Sequence, residues 1–317
     1  MNEIRGPLPI RPADLPTLNV LFSDAFSERY RRDGMAGVRV PPLNPVIWRF
    51  AIEGAGEGAM LWRDAQDRIA AFNIAHVSGS EGWMGPLAVH ESLQGRGLGQ
   101  RIVRAGIEHL RAAQCRVIGL ETMPRTMDNI GFYAGLGFVP GRLTITLTLE
   151  ANPTTDLRPV VLTSLGTGER EVVIRQCAAL TKILREGLDF TREITLTLQH
   201  ALGDCIVLRD SEGALEGFAL FHDVPLVEGR GRDELRVLKL ALRDQGTVPR
   251  VAEALVAQAR RSGALRVAIR TQGEYGPAFR SLVAHGARVR WTDLRMTLTG
   301  FEDPLPTSGI VLSNWEI

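Results

Sequence analysis

GWMGPLAVHESLQGRGLGQRIVRAGIEHL, residues 82–110, reads as an apolar strand, a short turn, a glycine-rich loop and a helix. Leu98, Ile102, Val103, Gly106, Ile107 and Leu110 recur at three- and four-residue spacing, with Arg101, Arg104, Glu108 and Arg111 on the other side. One face of that helix therefore packs on a sheet. Gln94-Gly95-Arg96-Gly97-Leu98-Gly99 sets three glycines at the strand-to-helix junction. Backbone can approach a ligand closely there, and successive amides add to the positive helix end. That arrangement suits a pyrophosphate. No Lys-Ser/Thr follows, which excludes a Walker A loop, and Gly95 to Gln100 has the wrong glycine spacing for a dinucleotide fingerprint.

Outward from this stretch the chain repeats itself. MLWRDAQDRIAAFNIAH at 60–76 aligns without a gap with IVLRDSEGALEGFALFH at 206–222. Arg63-Asp64 matches Arg209-Asp210, Phe72 matches Phe218 and His76 matches His222. Each segment is an apolar strand, a polar turn and a second apolar strand, the pattern of a hairpin. RVIGLET at 116–122 parallels RVAIRTQ at 266–272, and TLTLE at 146–150 parallels MTLTG at 296–300. At 317 residues the chain holds two domains of roughly 150 residues each. The boundary is expected where Ala151-Asn152-Pro153-Thr154-Thr155-Asp156 ends a strand, giving domains 1–152 and 153–317. Each unit reads as a helical N-terminal region, a hairpin, a third strand, an amphipathic helix, a strand, a short helix and a final strand. The expected class is α/β, a mixed and mostly antiparallel sheet flanked by helices.

With 44% hydrophobic and 23% charged residues, the composition is that of a globular protein and excludes disordered and fibrous classes. Thirty-seven Lys and Arg against 36 Asp and Glu leave a net charge of +1, with no global pull toward nucleic acid or an anionic membrane. Cys115, Cys177 and Cys205 are odd in number and widely spaced, so neither a disulfide framework nor a structural zinc site is expected. There is no apolar signal core at the N-terminus and no 18-residue apolar run, so the expected location is the cytoplasm.

The loop resembles the signature of the GNAT superfamily of acyl-CoA-dependent N-acyltransferases, Gln/Arg-x-x-Gly-x-Gly/Ala, matched by Gln94, Gly97 and Gly99. Downstream, Asn129-Ile130-Gly131-Phe132-Tyr133-Ala134-Gly135-Leu136-Gly137-Phe138 looks like the family's helix ending in Tyr-x-x-x-Gly-Phe. The resemblance covers residues 8–150 by motif and 155–300 through the repeat. It implies direct transfer of an acetyl group from acetyl-CoA to a primary amine, without a metal. In that family the strand before the loop splays from its neighbour and offers amides to the donor. Here this assigns Leu87, Ala88 and Val89 to the donor, with the Val89 N–H as oxyanion donor. The loop Gln94, Gly95, Arg96, Gly97, Leu98, Gly99 and Gln100 holds the pyrophosphate. Tyr133, with Phe132 beside it, matches the family tyrosine that protonates the leaving thiolate. The family's asparagine seven positions before that tyrosine is Thr126 here, so either Thr126 or Asn129 contacts the cofactor.

The attacking amine needs a base or a water chain to one. Glu81, Glu121, His76 and His90 are the candidates, with Glu81 and Glu121 chosen for testing. By family analogy residues 27–57, with Arg29, Tyr30, Arg31, Arg32, Asp33, Pro41, Pro42 and Trp48, line the acceptor side. In the second copy RDQGTVPRVAEAL replaces the glycine loop and Leu282 stands opposite Tyr133, so that domain is expected to bind CoA weakly or not at all. Its expected role is architectural. The apolar tail Phe301 to Ile317, with Leu312 and Trp315, is expected to dock on a neighbouring domain. Expected partners are a small-molecule or peptide amine, with self-association into a homodimer left open and neither nucleic acid nor membrane involved. The rival reading is a non-catalytic acyl-CoA sensor or interaction module.

Overall fold

Alternating apolar residues and the two polar turns fold the repeated segments into paired hairpins, around which the rest of a computed structural model is organised. It describes residues 4–151, 157–306 and 308–315. The first half runs β1 (Arg5–Pro9), α1 (Leu15–Arg32), α2 (Pro45–Ala55), β2 (Ala59–Arg63), β3 (Ile69–Ser78), β4 (Glu81–Val89), α3 (Leu98–Ala112), β5 (Val117–Thr122), α4 (Met127–Ala134) and β6 (Phe138–Glu150). The second repeats that order with α5 (Thr167–Leu184), α6 (Thr191–Gln199), β7 (Gly203–Arg209), β8 (Leu215–His222), β9 (Glu234–Leu242), α7 (Val248–Ser262), β10 (Arg266–Gln272), α8 (Gly276–Ala284) and β11 (Arg288–Leu298). A last strand, β12 (Ile310–Ser313), lies in the tail.

All twelve strands join one mixed sheet in the order β1-β2-β3-β4-β5-β11-β6-β10-β9-β8-β7, with β12 on β9. The order discloses an exchange that the linear repeat does not announce. β5 pairs with β11 of the second half, and both ladder neighbours of β6, β11 and β10, come from that half. β1 was not expected from the sequence, because Gly6, Pro7 and Pro9 weaken a strand pattern. At the sheet edge these residues need not complete a second ladder.

The helix expected from residue 98 forms as α3 and buries the six apolar positions named for it. Each fully buried Leu, Ile or Val there contributes about 1.5–3 kcal/mol, so the stripe fixes the helix firmly against the core that includes Met84, Tyr133 and Phe138.

β4 and β5 pair in parallel only from Glu81↔Val117 to Met84↔Leu120. Beyond Met84 no strand pairs with β4 on that side among the described residues. β9 and β10 stop pairing in the same way after Arg236↔Ala268, but there β12 adds itself antiparallel from Ile310↔Leu242 to Ser313↔Lys239. The tail thus docks on the second half, burying Ile310, Val311 and Leu312, and closes the gap that the first half leaves open. Ile317, at the tail's end, and residues 152–156 of the expected linker lie outside the described residues.

Candidate active site

The gap beside β4 opens into a cavity of about 660 Å³. One wall is the end of β4, with Leu87, Ala88 and Val89. The next is the loop, which contributes Gln94, Gly95, Gly97, Gly99 and Gln100. Gly95 and Gly97 have φ of +73° and +80°, a region that side chains with a Cβ avoid, and no atom lies within 4 Å of where either Cβ would stand. The loop is therefore a bare cradle facing open space, a shape that fits an extended anionic group. Gln94 is fixed by donating from Nε2 to the Val89 carbonyl at 3.1 Å.

Two of the expected loop contacts fall elsewhere. The Arg96 side chain is exposed and does not line the cavity. Leu98 turns its side chain into the core, so only its backbone remains at the helix start. A third wall is α4. Asn129, Phe132 and Tyr133 line the cavity, and the Asn129 amide donates to Thr122 Oγ1 at 3.4 Å. Thr126 does not line it: its hydroxyl is buried and donates to Asp33 Oδ2 at 2.6 Å, tying α4 to the end of α1. Of the two alternatives, Asn129 is the one at the cavity. Tyr133 is 7% exposed, and burial pushes its phenol up to about 12, so it keeps its proton across the neutral range.

The base candidates separate sharply. Glu81 is 1% exposed and away from the cavity, bound by Arg185 and accepting from Trp83 Nε1 at 3.4 Å. It cannot touch a substrate in that cavity, and its environment is that of a buried ion pair. His76 is equally enclosed: Nε2 stands 3.1 Å from the Gly85 carbonyl and the ring stacks on Trp315 at 4.3 Å. Burial and the positive Lys239 lower its pKa to about 3, which keeps it neutral. His90 is exposed and caps the turn at Glu91–Leu93. Glu121 alone lines the cavity. Burial works to raise its pKa, but Arg270 and Arg295 outweigh this and hold the carboxyl below its usual range.

From the region expected on the acceptor side, Arg29, Tyr30 and Arg32 do line the cavity, joined by Glu28. Arg31 binds Glu28 at 2.7 Å, Asp33 binds Arg29, and Trp48 is buried in the core with its Nε1 donating to Asn19. Pro41 and Pro42 are not at the cavity. Sequence reasoning missed Trp291 and Asp293, which reach the cavity on the exchanged strand β11. Nothing in the first copy points to them.

Comparison with known proteins finds likenesses of family and of fold. A model of the acetyltransferase (GNAT) family matches residues 22–138, which include the loop, α3, β5 and α4. Glucosamine 6-phosphate N-acetyltransferase 1 of Oryza sativa subsp. japonica is 32% identical over 112 residues, covering 31% of this chain and 66%, just under two thirds, of that protein. A GCN5-related N-acetyltransferase from Sphaerobacter thermophilus superposes over 93% of this chain and 94% of its own, with a TM-score of 0.62 at 16% identity. A tandem GNAT protein from the clavulanic acid biosynthesis pathway does so over 93% and 98%, at 0.61 and 13%. An N-myristoyltransferase of Saccharomyces cerevisiae covers 96% and 82%, at 0.60 and 11%. These three likenesses are of fold, and they extend across both halves.

Proposed function

We propose that this chain, a member of the GNAT acetyltransferase family through residues 22–138, transfers an acetyl group from acetyl-CoA to a primary amine at the cavity of its first half. The observation that carries this reading is the open splay beside residues 85–89, continuous with the bare glycine loop. Acetyl-CoA supplies an activated thioester: attack by the amine forms a C–N bond and breaks the C–S bond, two protons leave the ammonium, and one of them ends on the thiol. The amides of the loop from Gln94 to Gln100 hold the pyrophosphate at the start of α3. The unpaired side of β4 at Leu87, Ala88 and Val89 receives the pantetheine arm, with the Val89 N–H set for the charge that develops on the carbonyl oxygen. Asn129 and Phe132 flank the donor.

Tyr133, held protonated by burial, supplies the proton for the departing sulfur. Glu121 is too firmly ionised by its arginines to be a strong proton acceptor, so it holds the ammonium and leaves deprotonation to water. Residues 1–152 carry the chemistry in this division of the chain. Residues 153–317 brace it and add Trp291 and Asp293 to the cavity wall, while β12 fills their own splay and Leu282 stands where the first half has its tyrosine.

Titration calorimetry of acetyl-CoA into the full chain, followed by CoA-thiol release with an amine panel, tests the reading. One-to-one binding and amine-dependent release are expected. Absence of binding to the folded chain overturns it, and binding without release for any amine favours an acyl-CoA sensor.

A further inference from the structure

One end of the cavity is built by both halves of the chain. Tyr30 of α1 and Trp291 of β11 meet there with ring centroids 6.0 Å apart at 60°. Asp293 stands beside them, accepting from Trp291 Nε1 at 3.2 Å and from Arg270 Nη2 at 2.7 Å. Asp293 also ends an alternating ionic series that crosses the molecule. Glu81 binds Arg185; Arg185 binds Asp303 at 2.9 Å; Asp303 binds Arg295 at 2.7 Å; Arg295 binds Glu121 at 2.9 Å; and Arg270 joins Glu121 to Asp293. These seven groups are four carboxylates and three guanidiniums, and the end that reaches the cavity is Glu121 and Asp293. The buried Lys239 lies near the series, but the carboxylate it feels most is Glu193.

The cavity's own arginines are already matched. Arg29 binds Asp33 and stands 3.7 Å from Asp128, and Arg32 binds Glu28 at 2.8 Å. A phosphate on the acceptor would have to break these pairs. An ammonium group instead meets Glu121 and Asp293, which already accept from Arg270, Arg295, Thr144 and Trp291 and, as carboxylates, can share further hydrogen bonds, with the Tyr30 and Trp291 rings beside them.

We infer that the acceptor is a cationic primary amine on an aromatic or apolar body with no anionic group, selected by Trp291 and Asp293 of the second half. The inference rests on the acetyl-transfer reading above, and it sets this chain apart from the sugar phosphate in the rice relative's name. Asp293 and Glu121 hold the ammonium, and Trp291 and Tyr30 cover the apolar body.

Steady-state CoA release by the full chain is compared for phenethylamine and glucosamine 6-phosphate, with acetyl-CoA affinity measured by calorimetry in parallel. The expected kcat/KM is at least about tenfold higher for phenethylamine. Asp293→Asn raises its KM by about 30-fold or more, the effect of removing one partner of a buried charge pair. Asp293→Glu recovers much of the loss, and Trp291→Leu raises KM with donor affinity unchanged. Preference for glucosamine 6-phosphate, or an unaltered phenethylamine KM in folded Asp293→Asn and Trp291→Leu, overturns the inference. Acetyl-CoA binding with no turnover of phenethylamine also overturns it, whereas absence of acetyl-CoA binding overturns the acetyl-transfer reading itself.

Discussion

Replacing Gly97 by alanine separates what the loop contributes to folding from what it contributes to donor binding. Its φ is +80° and the space ahead of a new Cβ is empty, so the substitution meets no clash. The folding cost is left-handed backbone strain alone, about 1–2 kcal/mol. At roughly 2–4 °C per kcal/mol for chains of 150–250 residues, Tm falls by about 2–8 °C at most. The new methyl takes up open space at the loop that lines the cavity, however, where it is expected to keep an anion from seating on the amides. Loss of one hydrogen bond to a charged group is worth about 1.5–3 kcal/mol, a rise in Kd of roughly 10- to 150-fold. Gly131→Ala is the control. Gly131 lies in α4 with ordinary helical backbone and open space around it, so alanine there raises stability by up to about 1 kcal/mol and leaves Kd unchanged. Scanning calorimetry and titration with acetyl-CoA read the two effects independently. A Gly97→Ala chain that loses stability yet binds acetyl-CoA as tightly as the parent would refute the cradle.

Three further outcomes follow from the same geometry. Tyr133→Phe should lower kcat by about 10²-fold, the lower end of what a positioned acid contributes, with donor Kd unchanged; an unaltered kcat removes the acid role. Glu81→Gln leaves Arg185 with Asp303 as its carboxylate partner, and denaturant unfolding should show a loss of about 1.5–3 kcal/mol, the worth of a hydrogen bond to a charged group. The pH-rate profile of the surviving folded enzyme should keep its shape, and a displaced acidic limb would restore Glu81 as a base. His76, lowered to about 3 in the fold, takes up its proton first in the unfolded chain, near pH 6.5. Stability conferred by the neutral ring is therefore complete above pH 6.5 and falls by about 1.4 kcal/mol per pH unit from there toward pH 3. His76→Phe should flatten Tm against pH in that window, and an equally steep profile would contradict the assignment.

Helix α3, both hairpins, the glycine loop and the docked tail are legible in the sequence because each depends on local period or on turn chemistry. Leu98 to Leu110 carry a helical stripe, and Asp64 to Asp67 mark a turn, whatever the rest of the chain does. The base candidates are less legible, since a carboxylate at a strand end reads the same in text whether an arginine binds it or a substrate does. Glu81 and Glu121 are both bound by arginines more than one hundred residues away in sequence, Arg185 for the one and Arg270 and Arg295 for the other, and only Glu121 also lines the cavity. Trp291 and Asp293 are invisible to motif reading for a further reason. Their strand belongs by alignment to the second copy, and only the exchanged pairing brings it beside β5.

That exchange also sets the order in which the chain can be completed as it leaves the ribosome. Glu121 and Arg295, partners across β5 and β11, are 174 residues apart. At about 5–20 residues per second, about 9–35 s pass between the synthesis of one and of the other. Until β10 and then β11 are made, the free edge of β5 and both edges of β6, which has no partner within its own half, display unpaired backbone groups that another nascent chain could capture. Slowing translation between β6 and β11 should therefore reduce soluble yield while leaving the thermal stability of the finished protein untouched.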